Sequence, residues 1–514
     1  MAASPIPPPA TPNHGLIAVP DAPSIPIAPS PWWRIADFGV LGLWVAVVAF
    51  ILPYHEKWAD EAQAWLIARD LSLKAIWFHE LRYEGSPGLW HTILWIAQHV
   101  FHAHYDSLGL IGAAGALAGV ALLIFEAPFP RYIRWPLAFT YFMVYQYAVI
   151  ARPYTLMPLL AFAAALLFKD RDHPERMTVI LVLLANLSLH GTILAGCLGS
   201  VYLLDAIRGW SAVDAAVKRR YWISIAVMVA TFAFLFVILK PTPDVNEFAL
   251  KKEFAKLPAE VRLAEPDKLV KLETVVSGAF FDYWLPSTAF ILFAAWWCSL
   301  RRRLFVFAVP VGLLIALYAF IHGYAHHHGT VFIAAITALW IAWPCQEETR
   351  SFGIVQQLAS YGMAAVLVCL CALNIWDAEG AIRNEYLYPY SGAHDAASYI
   401  KSVGADRAPM FGFLFGVNAV EAYFDNNIFA NLPSAYFHLG LPLTGVHLDF
   451  DELHRVNPEY IVAYSDQPDV MVQEGVPILA GQGYKVVRFF DGYYFYKRSV
   501  YKRETYFIFR RVRP

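Results

Sequence analysis

The feature that most constrains this chain is a succession of apolar runs separated by short polar stretches. They fall at about 36–54, 108–125, 136–150, 154–168, 177–190, 192–207, 221–239, 286–300, 304–321, 331–344 and 354–375, with a weaker one at 87–101. Hydrophobic residues make up 58% of the chain and charged ones 16%, against about a quarter charged in soluble domains. No water-soluble core hides that much apolar surface, so lipid is the solvent for most of the chain. The expected fold is mainly α, a polytopic transmembrane bundle of about 11–12 helices. Several runs fall short of the roughly 20 residues that a bilayer core requires, which predicts broken or tilted helices around a cavity.

Lys/Arg clusters at Arg131/Arg134, Lys169/Arg171/Arg176, Lys218/Arg219/Arg220 and Arg301/Arg302/Arg303 mark the cytoplasmic side by the positive-inside rule. Alternation then puts residues 55–86, the turn at 151–153, the vicinity of His190, the loop 240–285, the turn 322–329 and everything after about 376 on the opposite side. Eleven spans satisfy that parity if 87–101 lies at the interface rather than crossing.

Three regions follow. Residues 1–35 form a Pro-rich, disordered cytoplasmic tail that lacks the pattern of a cleaved signal peptide, so the first span is an uncleaved anchor. Residues 36–375 form the transmembrane domain, with loops 55–86 and 240–285 outside the membrane. Residues 376–514 alternate short β-rich runs (MFGFLF, YIVAYS, YKVVRFF, YYFYKR, TYFIFRR) with helical stretches such as AHDAASYIKSVG, which predicts a small extracytoplasmic α/β domain. A net charge of −2 gives no reason to expect nucleic acid as a partner. The five cysteines, Cys197, Cys298, Cys345, Cys369 and Cys371, lie in or beside apolar segments without metal-ligand spacing and read as packing residues.

Ionisable residues are scarce in such a chain, and they gather on one predicted face. The loop after the first span, HEKWADEAQAWLIARDLS, carries Trp58, Ala62, Trp65 and Leu66 at helical spacing with Asp60 and Glu61 pointing elsewhere. Two adjacent carboxylates there suit a general base with an electrostatic or metal-binding neighbour, and equally a solvated acidic helix start favoured by the helix dipole. Glu84 and Arg82 follow in RYEGSPGLWH, a Gly-Pro-bounded turn. Arg152 stands between two apolar runs in YAVIARPYTLMPLL, where a cation usually faces a cavity. His190, and His322 with His326, His327 and His328, fall on the same face. The histidine run serves equally as a metal site, a pH-sensitive cluster or a polar membrane border.

In this order the motifs resemble the GT-C superfamily of integral-membrane glycosyltransferases, in particular bacterial relatives of protein O-mannosyltransferases and lipid A aminoarabinose transferases. DEAQAWLIAR matches the acidic motif of the first outer loop, EGSPGLWH the turn that begins the next helix, ARPYTLMPLLAF the Arg-Pro-Tyr turn, and HHHGTVFIAAITALW a late His-His-Gly segment. Ser86 stands where many relatives carry His, and Gly88 where they carry a second Pro. The resemblance implies transfer of a sugar, with inversion, from a polyprenyl-phosphate donor to a glycan, lipid or protein acceptor at the outer face of a bacterial inner membrane. It implies Asp60 as general base with Glu61 orienting it or binding a cation. Arg152, Tyr154, His190 and His327 would hold the donor phosphate, and Glu84 and Arg82 the acceptor or a metal. A divalent ion such as Mg or Mn, with Asp60, His326 and His327 as ligands, is compatible with that set. Two other classes remain: a transporter or flippase of a lipid-linked or small polar substrate, and a non-catalytic membrane assembly subunit.

Overall fold

The computed structural model describes residues 31–240, 268–320, 324–344, 353–432 and 450–512. Most of the Pro-rich tail, most of the 240–285 insert, His322 and Cys345 lie outside the described residues.

The apolar runs fold as helices, because a backbone in hydrocarbon must satisfy its own hydrogen bonds. Among the described residues five helices are long and apolar enough to cross a membrane: Trp32–Tyr54, Tyr105–Glu126, Leu189–Arg208, Ala215–Leu239 and Ile354–Leu387. A sixth crossing arises if Lys268–Ala279 and Trp284–Leu300, bent 72° against each other, count as one span. The shorter apolar segments Pro153–Leu167 and Leu304–Phe320 complete the bundle with Pro174–Ala185 and His328–Ala342. The weak run at 87–101 becomes an eleven-residue helix, Leu89–His99. At 1.5 Å per residue it covers about 16 Å, half of a bilayer core.

The two ends of the bundle differ in charge. Asp37, near the start of the first span, receives Arg131 at 3.0 Å, Arg134 at 3.5 Å and the Trp135 indole at 2.8 Å. Asp205 gathers Arg171, Arg208 and Arg303 at the same end, and Arg301 reaches Ser360 near the start of the last span. At the other end the first and last spans meet, with the rings of Tyr54 and Tyr386 5.0 Å apart. Both spans therefore run in the same direction, and residues 31 and 388 lie on opposite sides of the bundle.

The last span runs on to Leu387, so the expected boundary after residue 375 falls inside it. Thirty-four residues make a helix of about 50 Å, whose final turns carry Asp377, Asn384 and Glu385 beyond its apolar part. The C-terminal domain follows with helix Ala393–Ser402 and four strands: β1 (Met410–Phe413), β2 (Tyr460–Ser465), β3 (Tyr484–Tyr496) and β4 (Ser499–Arg511). The sheet order is β1-β2-β4-β3, with β1 parallel to β2 and the other pairs antiparallel. Two runs that read as separate strands, YKVVRFF and YYFYKR, are one 13-residue strand with a bulge between Val486 and Arg488. Strand side chains alternate between faces. Ile461, Ala463, Phe507 and Phe509 accordingly close a small core on one face, while Val462, Tyr506 and Ile508 join the core of the bundle on the other.

The β3–β4 hairpin tip plugs the domain into the bundle. Its two turn residues are Lys497 and Arg498, and Lys497 holds a left-handed φ of 55°, which costs a residue with a Cβ. Buried ion pairs hold it there: Lys497 Nζ lies 3.2 Å from Asp377 Oδ2 and also pairs with Asp282, and Arg498 Nε donates to Asp377 Oδ1 at 2.8 Å. Gly380 makes the approach possible, since a Cβ there would lie 2.3 Å from Arg498 Cγ. Removing one partner of a buried ion pair costs about 3–5 kcal/mol. Asp377→Asn is therefore expected to lower the thermal midpoint of the purified protein and to increase proteolysis between residues 388 and 512, whereas the exposed pair Arg455–Glu452 tolerates the same change.

Candidate active site

The acidic helix Ala59–Asp70 begins at Trp58, whose extended backbone (φ −102°, ψ −179°) turns the chain into the first helical turn. Glu61 caps that turn by accepting the Trp58 amide at 3.3 Å, which satisfies a donor the helix leaves open. The same carboxylate accepts His55 Nε2 at 2.9 Å and, through its other oxygen, the Ala151 amide at 2.7 Å. His55 Nδ1 donates in turn to Glu385 at 3.1 Å, and the Tyr145 hydroxyl closes on the second Glu385 oxygen. All four side chains are buried. An imidazole held between two carboxylates donates from both nitrogens and is therefore charged. Burial pushes the His55 imidazole down, but the charges of Glu61 and Glu385 outweigh it and raise the group to about 10. Burial also pushes the Glu61 carboxyl up, and His55 more than offsets this and holds it below the ordinary carboxylate range.

Asp60 points the other way, to Arg152, whose Nη1 lies 2.8 Å from Asp60 Oδ2. Arg152 precedes Pro153, which disfavours helical backbone. Its extended geometry (φ −125°, ψ 169°) breaks the chain between apolar segments and turns the side chain into the cluster. The guanidinium lies 5.6 Å from the ring centres of both Trp58 and Tyr154, within cation–π range. Burial pushes the Asp60 carboxyl up; Arg152 opposes this, Glu84 and Glu61 add to it, and the net result lies above the ordinary range.

Tyr154 leads to the histidines. Its ring centre is 5.5 Å from His190 and 5.8 Å from His327, and the two imidazoles are 4.7 Å apart. His326 lies 4.2 Å from His327 and 6.3 Å from Trp58, centre to centre. Asp60, Trp58, Arg152, Tyr154, His190, His326 and His327 thus form one contiguous patch. His328 faces away, against Tyr496. Glu84, at the end of a short helix that Gly85 terminates with φ 60°, accepts the Gln63 amide of the acidic helix and lies 3.9 Å from His91. Arg82 turns back to the Phe78 carbonyl at 2.8 Å, outside the patch. A divalent ion at Asp60 would compete with the guanidinium already 2.8 Å from it.

Three residues at this centre escaped the sequence reading: His55, Glu385 and Tyr145. His55 opens the acidic loop and was within reach. Glu385 lies ten residues past the last apolar run, with nothing local to mark it.

No family model matches the sequence, and no curated protein matches it. Two solved structures do. The crystal structure of ArnT from Cupriavidus metallidurans bound to undecaprenyl phosphate aligns over 93% of this chain and 98% of its own, with a TM-score of 0.55 at 15% identity. The same protein in the apo state aligns over 92% and 98%, with a TM-score of 0.53 at 14% identity. The chain has the fold of ArnT, a multi-helix membrane bundle with a small C-terminal sheet domain.

The central imidazolium makes a pH prediction. With the folded-state pKa of His55 raised to about 10, its contribution to stability is complete below the ordinary histidine pKa of about 6.5 and is lost as pH rises through the folded value. His55→Asn should lower the thermal midpoint by several degrees at pH 6, with the gap to wild type closing toward pH 10.

Proposed function

We propose that the chain is a membrane glycosyltransferase that moves a sugar from a polyprenyl-phosphate donor to an acceptor hydroxyl on a glycan, lipid or protein, with inversion at the anomeric carbon. The observation that carries this reading is the Asp60–Arg152 pair: a carboxylate of raised pKa joined to a guanidinium whose Nε is buried without a hydrogen-bond partner. The likeness to ArnT bound to undecaprenyl phosphate supports the donor class.

Asp60 takes the proton of the acceptor hydroxyl as its oxygen attacks the anomeric carbon. The bond from that carbon to the phosphate oxygen breaks on the opposite face, and polyprenyl phosphate leaves with the electron pair. A raised carboxyl pKa suits the base, since proton transfer is most efficient when its pKa approaches the operating pH. Arg152 neutralises charge on the departing phosphate with the donors that Asp60 leaves unused, and a charge-assisted contact in a partly buried site is strong. Tyr154, His190 and His327 line the same side. Glu61, held by three donors, fixes the helix that carries Asp60. The basic end of the bundle supports a cytoplasmic N-terminus by the positive-inside rule. It supports equally an extracytoplasmic site and C-terminal domain in a bacterial inner membrane.

Asp60→Asn should reduce transfer from a polyprenyl-phosphate sugar by about 10²–10⁴-fold in protein that keeps its thermal midpoint. Undiminished transfer would remove the base from Asp60, and uptake of substrate into vesicles by wild type without covalent transfer would replace the reading with transport. Arg152→Gln removes a charge that lowers the Asp60 pKa. The base acts deprotonated, so the acid limb of the kcat/KM profile should move to higher pH, together with a rise in donor KM.

A further inference from the structure

A second cluster of ionisable groups lies outside the patch built around Asp60. Glu56, in the loop between the first span and the acidic helix, meets His394 and Asp395 from the first turn of helix Ala393–Ser402 in the C-terminal domain. Each of the three offers a ligand atom, and these atoms all lie within 4.8 Å of one another. His394 Nδ1 is 3.7 Å from Asp395 Oδ1. The Glu56 Oε2 atom is buried and makes no hydrogen bond. A buried carboxylate oxygen left without a donor is costly, and the same Glu56 carboxylate lies within 4.8 Å of an imidazole and a second carboxylate brought from more than three hundred residues away.

We propose that Glu56, His394 and Asp395 form a binding site for a divalent transition-metal ion of the zinc or manganese class, which clasps the first outer loop to the C-terminal domain. One imidazole with two carboxylates suits Zn²⁺ or Mn²⁺ better than Mg²⁺ or Ca²⁺, which favour all-oxygen sets. Three protein ligands leave further coordination positions, and the exposed sides of His394 and Asp395 (53% and 61%) give those positions to water. The electrostatics agree: burial, then the charges of Asp395 and Glu385, push the Glu56 carboxyl up to about 8, and a bound cation reverses that sign by favouring the carboxylate. The ion is structural. Glu56 precedes Asp60 by four residues and adjoins His55, so metal binding steadies the segment from which the acidic helix departs without entering the patch itself.

The full chain in detergent or nanodiscs, stripped with a chelator and then equilibrated with ZnCl₂ or MnCl₂, provides the test. Wild type should retain about one ion per chain after dialysis, by elemental mass spectrometry, and show a higher thermal midpoint with metal than without. His394→Gln and Asp395→Asn change exposed side chains and should fold as wild type, while Glu56→Gln removes the half-buried ligand. All three should weaken retention at least about tenfold, the scale reached even by residues behind the ligands, and abolish the metal-dependent rise in midpoint. Asp60→Asn should retain the ion like wild type, so this result stands or falls separately from the assignment of the base. Equal retention by wild type and all three cluster variants would place the ion elsewhere and overturn the proposal, as would wild type that holds no more metal than His394→Gln.

Discussion

The site depends on a buried imidazolium. His55 sits between Glu61 and Glu385, and through them it joins the end of the first span, the start of the acidic helix, the broken segment at Ala151 and the end of the last span. Carboxylates without a cation between them would repel across a few ångströms in a medium that screens little, and the helix ends would part. With the proton in place, the four segments share one geometry. Asp60 inherits its position from that geometry: it is the neighbour of a residue that cannot move. The two adjacent acids thus differ physically, one carboxylate saturated with donors and the other facing a single guanidinium.

The C-terminal domain forms part of the same construction. Tyr494 of β3 lies 5.0 Å from Trp58, centre to centre, and Trp58 carries one side of the Arg152 guanidinium. Glu504 of β4, buried and bonded to Ser391 at 2.6 Å and to Tyr494, fixes that tyrosine. Burial raises the Glu504 carboxyl to about 7 despite those donors. A domain that reads in sequence as an appended α/β unit is therefore the far wall of the patch, and the ion pairs of Lys497 and Arg498 hold that wall against the bundle.

Much of this was legible in the sequence. Hydrophobic runs and basic clusters gave the bundle and its charged end, because lipid imposes a helical backbone and one dominant signal per segment. The short motifs placed Asp60, Arg152, Tyr154, His190, His326 and His327 on one face, and the structure brings those six together. What stayed hidden is what depends on distant pairing. Glu385 is one acid in a polar stretch until the last span is seen to run past its apolar portion, and Tyr145 is one aromatic in an aromatic-rich run. The single long strand β3 reads as two because Asp491 and Gly492, residue types depleted in strands, separate its two β-rich runs. Arg82 looks equivalent to Glu84 from its position in the turn, but its partner, the Phe78 carbonyl, lies one turn back along the chain.

The hairpin at Lys497 and Arg498 bears on how the protein is made. Its two cations find their carboxylates at Asp282 and Asp377, in segments synthesised more than a hundred residues earlier. Until then, Trp58 lacks Tyr494 and the Asp60 patch stands open on one side. The patch is thus walled only once this hairpin has been made, and a chain cut short before it would carry every residue of the patch without that wall. Synthesis of the hairpin and closure of the patch are, in this architecture, the same event.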